Sequence, residues 1–353
     1  MPAETHSPVS MARGAAKASA PFNVPRSRAR LRLLEVIFWI AAFACIPLLS
    51  SWHLILNEIA ILGLFALSLD LILGYAGIVS LGHAAFLGIG AYTAGLLAKH
   101  GVQDPFIGLA AAALTSTLIG FLTSFLVLRG SDLTRLMVTL GVALVLGEIA
   151  NTFSSITGGA DGLQGVIMKP ILGMFPFDMF GRTAFCYSLI VTFILFLIAR
   201  LVVHSPFGLS LEAVRDNPLR ARAVGIPVNA RLIAIYTMSA AYAGIAGALL
   251  AQTTQFVSLD AFDFLRSADV MLVLVLGGAG YLYGGLIGAI FFKFIQDMLS
   301  VVSPQHWQFW IGFLLVAFVL LGRDRMTGGV RRAVLWLGGL LDSKGDTKKE
   351  TRS

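Results

Sequence analysis

Long apolar runs separated by short polar segments occupy most of this chain. The runs are continuous, and many approach the 20 residues that an α-helix needs to cross a hydrocarbon core of about 30 Å. A membrane β-barrel would instead show short segments of alternating hydrophobicity. We therefore expect an all-α, polytopic membrane protein with about ten transmembrane helices, some of them short or broken. The predicted spans are 34–50, 53–74, 77–98, 105–128, 135–155, 183–203, 231–255, 265–279, 284–302 and 306–322.

The composition supports lipid as the natural solvent of this domain. Hydrophobic residues make up 57% of the 353-residue chain and charged residues only 13%, whereas soluble domains carry about 25% charged residues. Both cysteines, Cys45 and Cys186, lie in apolar runs, and we interpret them as buried small hydrophobic residues rather than as a disulfide or a metal pair.

The positive charges predict how the spans are oriented. A basic arm over residues 1–33, which we expect to be disordered, precedes the membrane domain of 34–322, and a basic tail follows over 323–353. Because cytoplasmic segments are enriched in Lys and Arg, both termini are predicted in the cytoplasm. An even number of crossings then places the segment 204–230 in the cytoplasm as well. Since no basic patch is interleaved with aromatics, the formal charge of +7 predicts topology and not nucleic-acid binding.

The 204–230 segment interrupts the apolar pattern with two predicted short helices. Its Ser-Pro and Asn-Pro dipeptides, at 205–206 and 217–218, are each typical of a capping residue followed by the first helical position. Gly225 fits the left-handed position after a helix, and Pro227 prevents continuation. The second helix is thus predicted over about 218–224. It is either held by a partner or part of an ordinary solvated loop.

Two glycine-rich stretches lie within the predicted spans. The stretch "GYAGIVSLGHAAFLGIGAYTAG" covers 74–95 and contains His83, which either contacts a neighbouring carbonyl or lines a pathway. In "GGAGYLYGGLIGA" at 277–289, glycines at intervals of four predict one helix face for close helix contact. The candidates for the translocation path or for helix packing are Gly82, His83, Gly90, Tyr92, Glu148, Gly277, Gly278, Gly280 and Gly284.

Motifs of nucleotide hydrolysis and of other chemistry are absent from the sequence. No G-x-x-x-x-G-K-[ST] phosphate loop occurs, and no H-E-x-x-H, C-x-x-C or G-x-S-x-G occurs. We therefore predict a chain without catalytic residues, metal or cofactor of its own. If ATP drives transport, another polypeptide must bind the nucleotide.

Four ordered motifs together resemble the permease subunits of the high-affinity branched-chain amino acid ABC transporters. They are "LSLDLILGYAGIVSLGHAAFLGIGAYTAGLLA" (67–98), "ITGGADGLQG" (156–165), "SPFGLSLEAVRDNPLRARAVGIPV" (205–228) and "VLGGAGYLYGGLIGA" (275–289). The resemblance covers about residues 34–322. It departs from the family pattern at "GYLYGG", where Tyr281 and Gly285 occupy altered positions, and at Pro218 and Leu219 after Asn217.

The resemblance implies a set of partners and a location. It implies a bacterial inner-membrane importer with two cytoplasmic subunits that bind ATP and magnesium, a second related permease, and a periplasmic solute-binding protein. The short helix of the 204–230 segment would dock into a groove on an ATP-binding subunit. The positions that match the family's docking loop are Glu212, Arg215, Asp216, Asn217, Arg220, Ala221 and Gly225.

Three alternatives differ from import of branched-chain amino acids. Related permeases of the resembled type serve urea, short amides or other amino acids. An ion-coupled secondary transporter also uses broken, glycine-rich helices and midplane charges, and Glu148, Asp269 and His83 would then be its coupling candidates. A non-transporting scaffold would account for the apolar composition but not for the capped 204–230 segment.

Overall fold

The computed structural model describes residues 33–171, 173–178, 180–302 and 304–321 as a bundle of α-helices. Most of the arm 1–33 and all of the tail 323–353 lie outside the described residues. The helices are α1 Leu33–Leu48, α2 His53–Leu73, α3 Ala84–Lys99, α4 Pro105–Val127, α5 Asp132–Thr152, α6 Ser154–Thr157, α7 Arg182–Val203, α8 Pro206–Asp216, α9 Pro218–Ala223, α10 Val228–Thr254, α11 Phe264–Gly277, α12 Leu282–Val302 and α13 Trp307–Leu321.

Helix lengths confirm the all-α polytopic class. Within the described residues, six helices are long and apolar enough to cross a membrane: α2, α4, α5, α7, α10 and α12. The other four predicted spans coincide with the shorter helices α1, α3, α11 and α13. All ten predicted spans thus correspond to a helix, although four of those helices have 14 to 16 residues.

The predicted span 77–98 is helical only from Ala84 onward. Residues 77–83 are not helical, and α3 begins only at Ala84. Hydroxyl groups on two other helices accept hydrogen bonds from this part of the backbone. The Thr139 hydroxyl accepts from the Leu81 N–H at 3.2 Å, and the Ser267 hydroxyl accepts from the Ala84 N–H at 2.9 Å, where α3 begins. Irregular backbone is tolerated at membrane depth only where protein or water satisfies it, and these hydroxyls do so.

The prediction that Gly280 stacks with Gly284 and Gly288 on one helix face is wrong. Gly280 precedes α12, which begins at Leu282, and its φ of +81° lies in the left-handed region, which excludes it from a regular helix. The chain turns at the Gly277–Gly278 pair, where α11 ends.

Helix α10 lies at the centre of the bundle and packs along α2, α3 and α4. Its contact with α3 depends on glycines from both helices. A Cβ added at Gly90 would lie 2.0 Å from the carbonyl oxygen of Gly244, and one at Gly247 would lie 1.9 Å from that of Leu87. The two backbones therefore touch, as is typical of small-residue contacts between membrane helices.

Helix α2 packs on α12 and α7 and runs antiparallel to α12. Gly63 faces Leu286 near the middle of that pair, and the loop before α12 reaches Asp70 near the end of α2. Arg215 of α8 also contacts Gly74, just after α2. The end of α2 and the start of α12 therefore lie at the end of the bundle that carries the 204–230 segment. We call it the segment end, and the other the opposite end.

Candidate functional site

The two short helices of the 204–230 segment form as their caps predict. The Ser205 hydroxyl accepts from the Phe207 N–H at 3.2 Å at the start of α8. The Asn217 side chain accepts from the Arg220 N–H at 3.0 Å at the start of α9. A proline follows each cap and occupies the first helical position, where its missing N–H has no helical partner to lose.

The end of α9 is closed by a Schellman motif. The Ile226 N–H donates to the Ala221 carbonyl and the Gly225 N–H to the Arg222 carbonyl, both at 3.0 Å. Gly225 has a φ of +87°, a conformation that costs a residue with a side chain about 1–2 kcal/mol. Helix α9 is therefore fixed at both ends although it has only six residues.

The surface of α9 is apolar and basic. Leu219 is 76% exposed and Val224 78% exposed, and the side chains of Arg220 and Arg222 are exposed beside them. Ala221 is 2% exposed and holds the helix against the bundle. Large apolar side chains so exposed on a polar segment are typical of a protein-contact surface.

Arg215 joins the 204–230 segment to the bundle. Its guanidinium donates to the carbonyl oxygen of Gly74. A Cβ added at Gly77 would lie 2.9 Å from Arg215 Cγ, and one at Gly280 would lie 3.6 Å from Arg215 Nη1. The Arg215 side chain thus rests on backbone at both glycine-rich breaks, 74–83 and 278–281.

Asp70 joins those two breaks to each other. It is fully buried near the end of α2, and its Oδ1 accepts from the Gly280 N–H at 2.7 Å. Its Oδ2 has no hydrogen-bond partner within the described residues. We refer to Asp70, Gly74, Arg215 and Gly280 as the junction. Asp70 was not among the predicted site residues, although one carboxylate inside an apolar span, four residues before a glycine, is a usable signal.

His83 lies deeper in the bundle, at the end of the first break. It is fully buried, and its Nε2 lies 2.8 Å from the Ser68 hydroxyl. The partner is thus a hydroxyl and not the expected carbonyl. The His83 ring stacks on Phe65 with centroids 5.5 Å apart. Phe65 and Ser68, which both contact His83, lie within one helical turn of α2.

Most of the other path-or-packing candidates lie in packing contacts. A Cβ added at Gly82 would lie 1.8 Å from the Thr139 carbonyl oxygen, and the Tyr92 ring stacks on Phe262 at 5.5 Å. Gly277, Gly278 and Gly284 touch through their backbones where α11 meets α12. Glu148 is exposed on α5, away from these contacts.

The predicted docking positions fall into two groups. Arg215, Ala221 and Asn217 make contacts inside the segment or with the bundle. Glu212 is half-buried, whereas Asp216, Arg220 and Gly225 are exposed, and Asp216 accepts from Arg215 at 3.4 Å. The structure thus brings the predicted residues together at one end of the bundle.

Comparison with known proteins identifies the family. Residues 52–320 match the family model described as branched-chain amino acid transport system, permease component. The chain belongs to this permease family. The match covers most of the membrane domain and confirms the resemblance found in the sequence motifs. The protein is accordingly a multi-pass membrane protein of this family.

The relatives of this permease are named for transport of different solutes. LivM of Salmonella typhimurium and LivM of Escherichia coli K12, high-affinity branched-chain amino acid transport permeases, are each 29% identical over 73% of this chain and 65% of their own length. The chain thus matches just under two thirds of these relatives. LsrD of Salmonella typhimurium, an autoinducer 2 import permease, is 26% identical over 82% of this chain and 89% of its own. A search of solved structures gave no significant match.

Proposed function

We propose that this permease is the membrane-spanning subunit of an ABC importer for branched-chain or related amino acids. Separate ATP-binding subunits would drive it from the cytoplasm, a periplasmic protein would deliver the solute, and a second permease would complete the pathway across the inner membrane. Both chain termini and the segment end would face the cytoplasm. The observation that carries the proposal is α9, a short rod capped at both ends with an apolar, basic outer surface.

The geometry of the segment supports a mechanical role for α9. A two-turn helix is marginal in isolation, yet this one is fixed by the Asn217 cap, by the Schellman motif and by buried Ala221. A force on α9 would pass to α8 through the single residue Asn217 between them. From α8 it would reach both glycine-rich breaks through Arg215.

Movement at the junction would change the solute pathway. The breaks 74–83 and 278–281 are not helical, so few helical hydrogen bonds hold them in one conformation. Asp70 ties one break to the other through Gly280, and we propose that the two move together. Alternating access would then follow ATP binding and hydrolysis in the partner subunits, while this chain binds no nucleotide.

The solute class within the proposal comes from the relatives. Two relatives are named for branched-chain amino acid transport, whereas LsrD is named for autoinducer 2 import. Urea and short amides stay as alternatives for the solute. For an ion-coupled carrier, Glu148, Asp269 and His83 would have to cooperate, yet among them only Asp269 lines the charged cavity between α2, α11 and α12.

Purification of the complex tests the proposal. Leu219→Asp places a charge on the apolar surface of α9 and is expected to abolish co-purification of the ATP-binding subunits with the permease. The matched control is Met174→Asp, which changes an equally exposed side chain (71% against 76%) in the loop before α7. If Leu219→Asp retained the ATP-binding subunits as well as the control does, α9 would not be their docking site.

A further inference from the structure

A cavity of about 380 Å³ opens between α2, α10, α11 and α12 in the half of the bundle away from the 204–230 segment. Its volume lies within the range of about 300–1,000 Å³ that is usual for small-molecule sites. The wall combines charged and polar side chains with apolar ones. The lining residues are Glu58, Ile61, Leu62, Phe65, Leu87, Leu250, Thr254, Arg266, Asp269, Phe292, Lys293 and Gln296.

The charged residues of this wall lie on α2, α11 and α12. Glu58 and Asp269 each lie five residues from the start of their helix, or about 8 Å along its axis. Lys293 lies nine residues from the end of α12, or about 14 Å. Ionisable side chains at such depth face protein or a water-filled cavity and not lipid. Half-exposed Glu58, with 51% of its side chain accessible, therefore indicates a cavity that water or solute enters.

Some charged side chains of the cavity wall form ion pairs with one another, and others make no hydrogen bond within the described residues. Lys293 forms an ion pair with Glu58 and donates to Gln296 at 3.2 Å. Asp269 lies within electrostatic range of Arg266 and Lys293, but its carboxylate makes no hydrogen bond to the part of the chain that the structure describes. The exposed Arg266 side chain likewise has no hydrogen-bond partner there.

We infer that this cavity is the solute-binding site of the permease and that it takes a zwitterionic amino acid with an aliphatic side chain. The inference rests on the proposed import function and names the residues that would recognise the solute. Arg266 and Lys293 would donate to the carboxylate, and Asp269 would accept from the ammonium group. Ile61, Leu62 and Phe292 would contact the aliphatic side chain, whose burial stabilises binding.

The floor of the cavity connects the site to the rest of the mechanism. Phe65 lines the cavity and stacks on the His83 ring, which ends the first glycine-rich break. A solute resting on Phe65 therefore lies above the break 74–83, whose other end is held by Arg215. Movement of the break would displace Phe65 and open the cavity toward the segment end.

Uptake in whole cells tests the assignment with all native subunits present. Cells that lack the native gene would carry the full chain or a variant, and uptake of radiolabelled leucine would be measured together with the amount of permease in the membrane. Asp269→Asn and Arg266→Gln each remove one charge-assisted hydrogen bond to the solute, so we expect uptake to fall about tenfold or more. Asp297→Asn is the matched control, since Asp297 lies on α12 but not in the cavity wall.

A binding measurement distinguishes recognition of the solute by Asp269 from a purely structural role of this residue. In membranes that contain the whole complex, Leu62→Cys would be alkylated in a chain whose two native cysteines are replaced by serine. Leucine is expected to slow the alkylation, whereas 4-methylpentanoate, which lacks the ammonium group, is not. Adding Asp269→Asn should abolish the protection by leucine.

The outcomes distinguish this inference from the proposed function. If the unmodified chain supported uptake of neither leucine nor any related amino acid, the proposed function would fail and the inference with it. If it supported uptake while Asp269→Asn and Arg266→Gln transported normally, the cavity assignment alone would be overturned. The same holds if leucine protected Leu62→Cys equally well with and without Asp269→Asn. Should Asp269→Asn not accumulate, exposed Arg266→Gln decides by the same two readouts.

Discussion

The guanidinium of Arg215 donates to the main-chain carbonyl of Gly74, and this contact connects α8 to the end of α2. Because the same side chain also lies against Gly77 and Gly280, a single arginine bridges the 204–230 segment and both breaks. The planar, long side chain of arginine combines this hydrogen bond with packing against the two glycines, a geometry that lysine does not reproduce.

Replacing Arg215 should therefore uncouple the permease. In proteoliposomes with the complete importer, Arg215→Ala is expected to leave ATP hydrolysis within about twofold of the unmodified complex while solute transport per ATP falls about tenfold, since a charged hydrogen bond worth about 1.5–3 kcal/mol is lost. Arg129→Ala is the control, because Arg129 is exposed in the turn between α4 and α5. An unchanged transport-to-hydrolysis ratio in Arg215→Ala would contradict the account.

Asp70 should be more important for its acceptor oxygen than for its charge. Asp70→Ala leaves the half-buried Gly280 N–H without its partner and is expected to cost about 1–3 kcal/mol of unfolding free energy. Asp70→Asn keeps an oxygen that can accept this bond and should cost less. Thermal unfolding of the detergent-solubilised protein measures both. Equal losses in the two variants would show that the hydrogen bond to Gly280 does not stabilise the breaks.

The contact between α3 and α10 should tolerate no side chain at Gly90. An added Cβ would collide with the Gly244 carbonyl, so Gly90→Ala should force the helices apart and cost about 1–3 kcal/mol. Gly141→Ala in α5 is the matched control, because a Cβ there meets nothing within 4 Å and alanine favours a helix. If thermal unfolding showed that Gly141→Ala is less stable than Gly90→Ala, the close packing of α3 on α10 would be refuted.

Asp178 should make the start of α7 sensitive to acid. Its carboxylate accepts from the backbone N–H groups of Thr183 at 2.9 Å and Arg182 at 3.3 Å. Partial burial by itself raises the pKa of Asp178, but these hydrogen bonds together outweigh it and hold the pKa below its ordinary value. A lowered folded-state pKa gives stability that is complete above the unfolded value of about 3.9 and is lost as the pH falls through the folded value.

Asp178→Ala is accordingly expected to cost about 1 kcal/mol near pH 7, as the loss of a helix cap does. The difference from the unmodified protein should shrink as the pH falls below about 4. Thermal unfolding across pH measures it, with Asp161→Ala as the control in the same loop region, where Asp161 is exposed. A difference that stayed constant down to pH 3 would rule out the ionised cap.

The sequence predicts the parts of this fold that depend on local chemistry. The caps at Ser205 and Asn217 and the left-handed Gly225 follow from residue types next to one another in the chain, and all three form as predicted. The ten spans follow from apolar length alone. Neither kind of prediction requires knowledge of which helices are neighbours.

The rest depends on contacts between residues distant in the chain. Residues 77–83 are apolar enough for a helix, but they take another conformation, in which the Thr139 hydroxyl accepts from Leu81 and the Ser267 hydroxyl from Ala84 at the start of α3. Gly280 fits a helical spacing of four, yet its N–H is bound by Asp70, 210 residues away in sequence. Likewise, Glu58 and Lys293 meet only because α2 and α12 pack antiparallel.

The most direct test of the central claim is cross-linking at Leu219 in the assembled importer. With Leu219→Cys in a chain whose two native cysteines are replaced by serine, a short thiol-reactive cross-linker should join α9 to an ATP-binding subunit, and adding ATP should change the yield. Met174→Cys in the loop before α7 should form no such product. A Leu219→Cys chain that gave no cross-link to any ATP-binding subunit, or that reacted with membrane-impermeant thiol reagents applied only from the periplasmic side, would contradict the account.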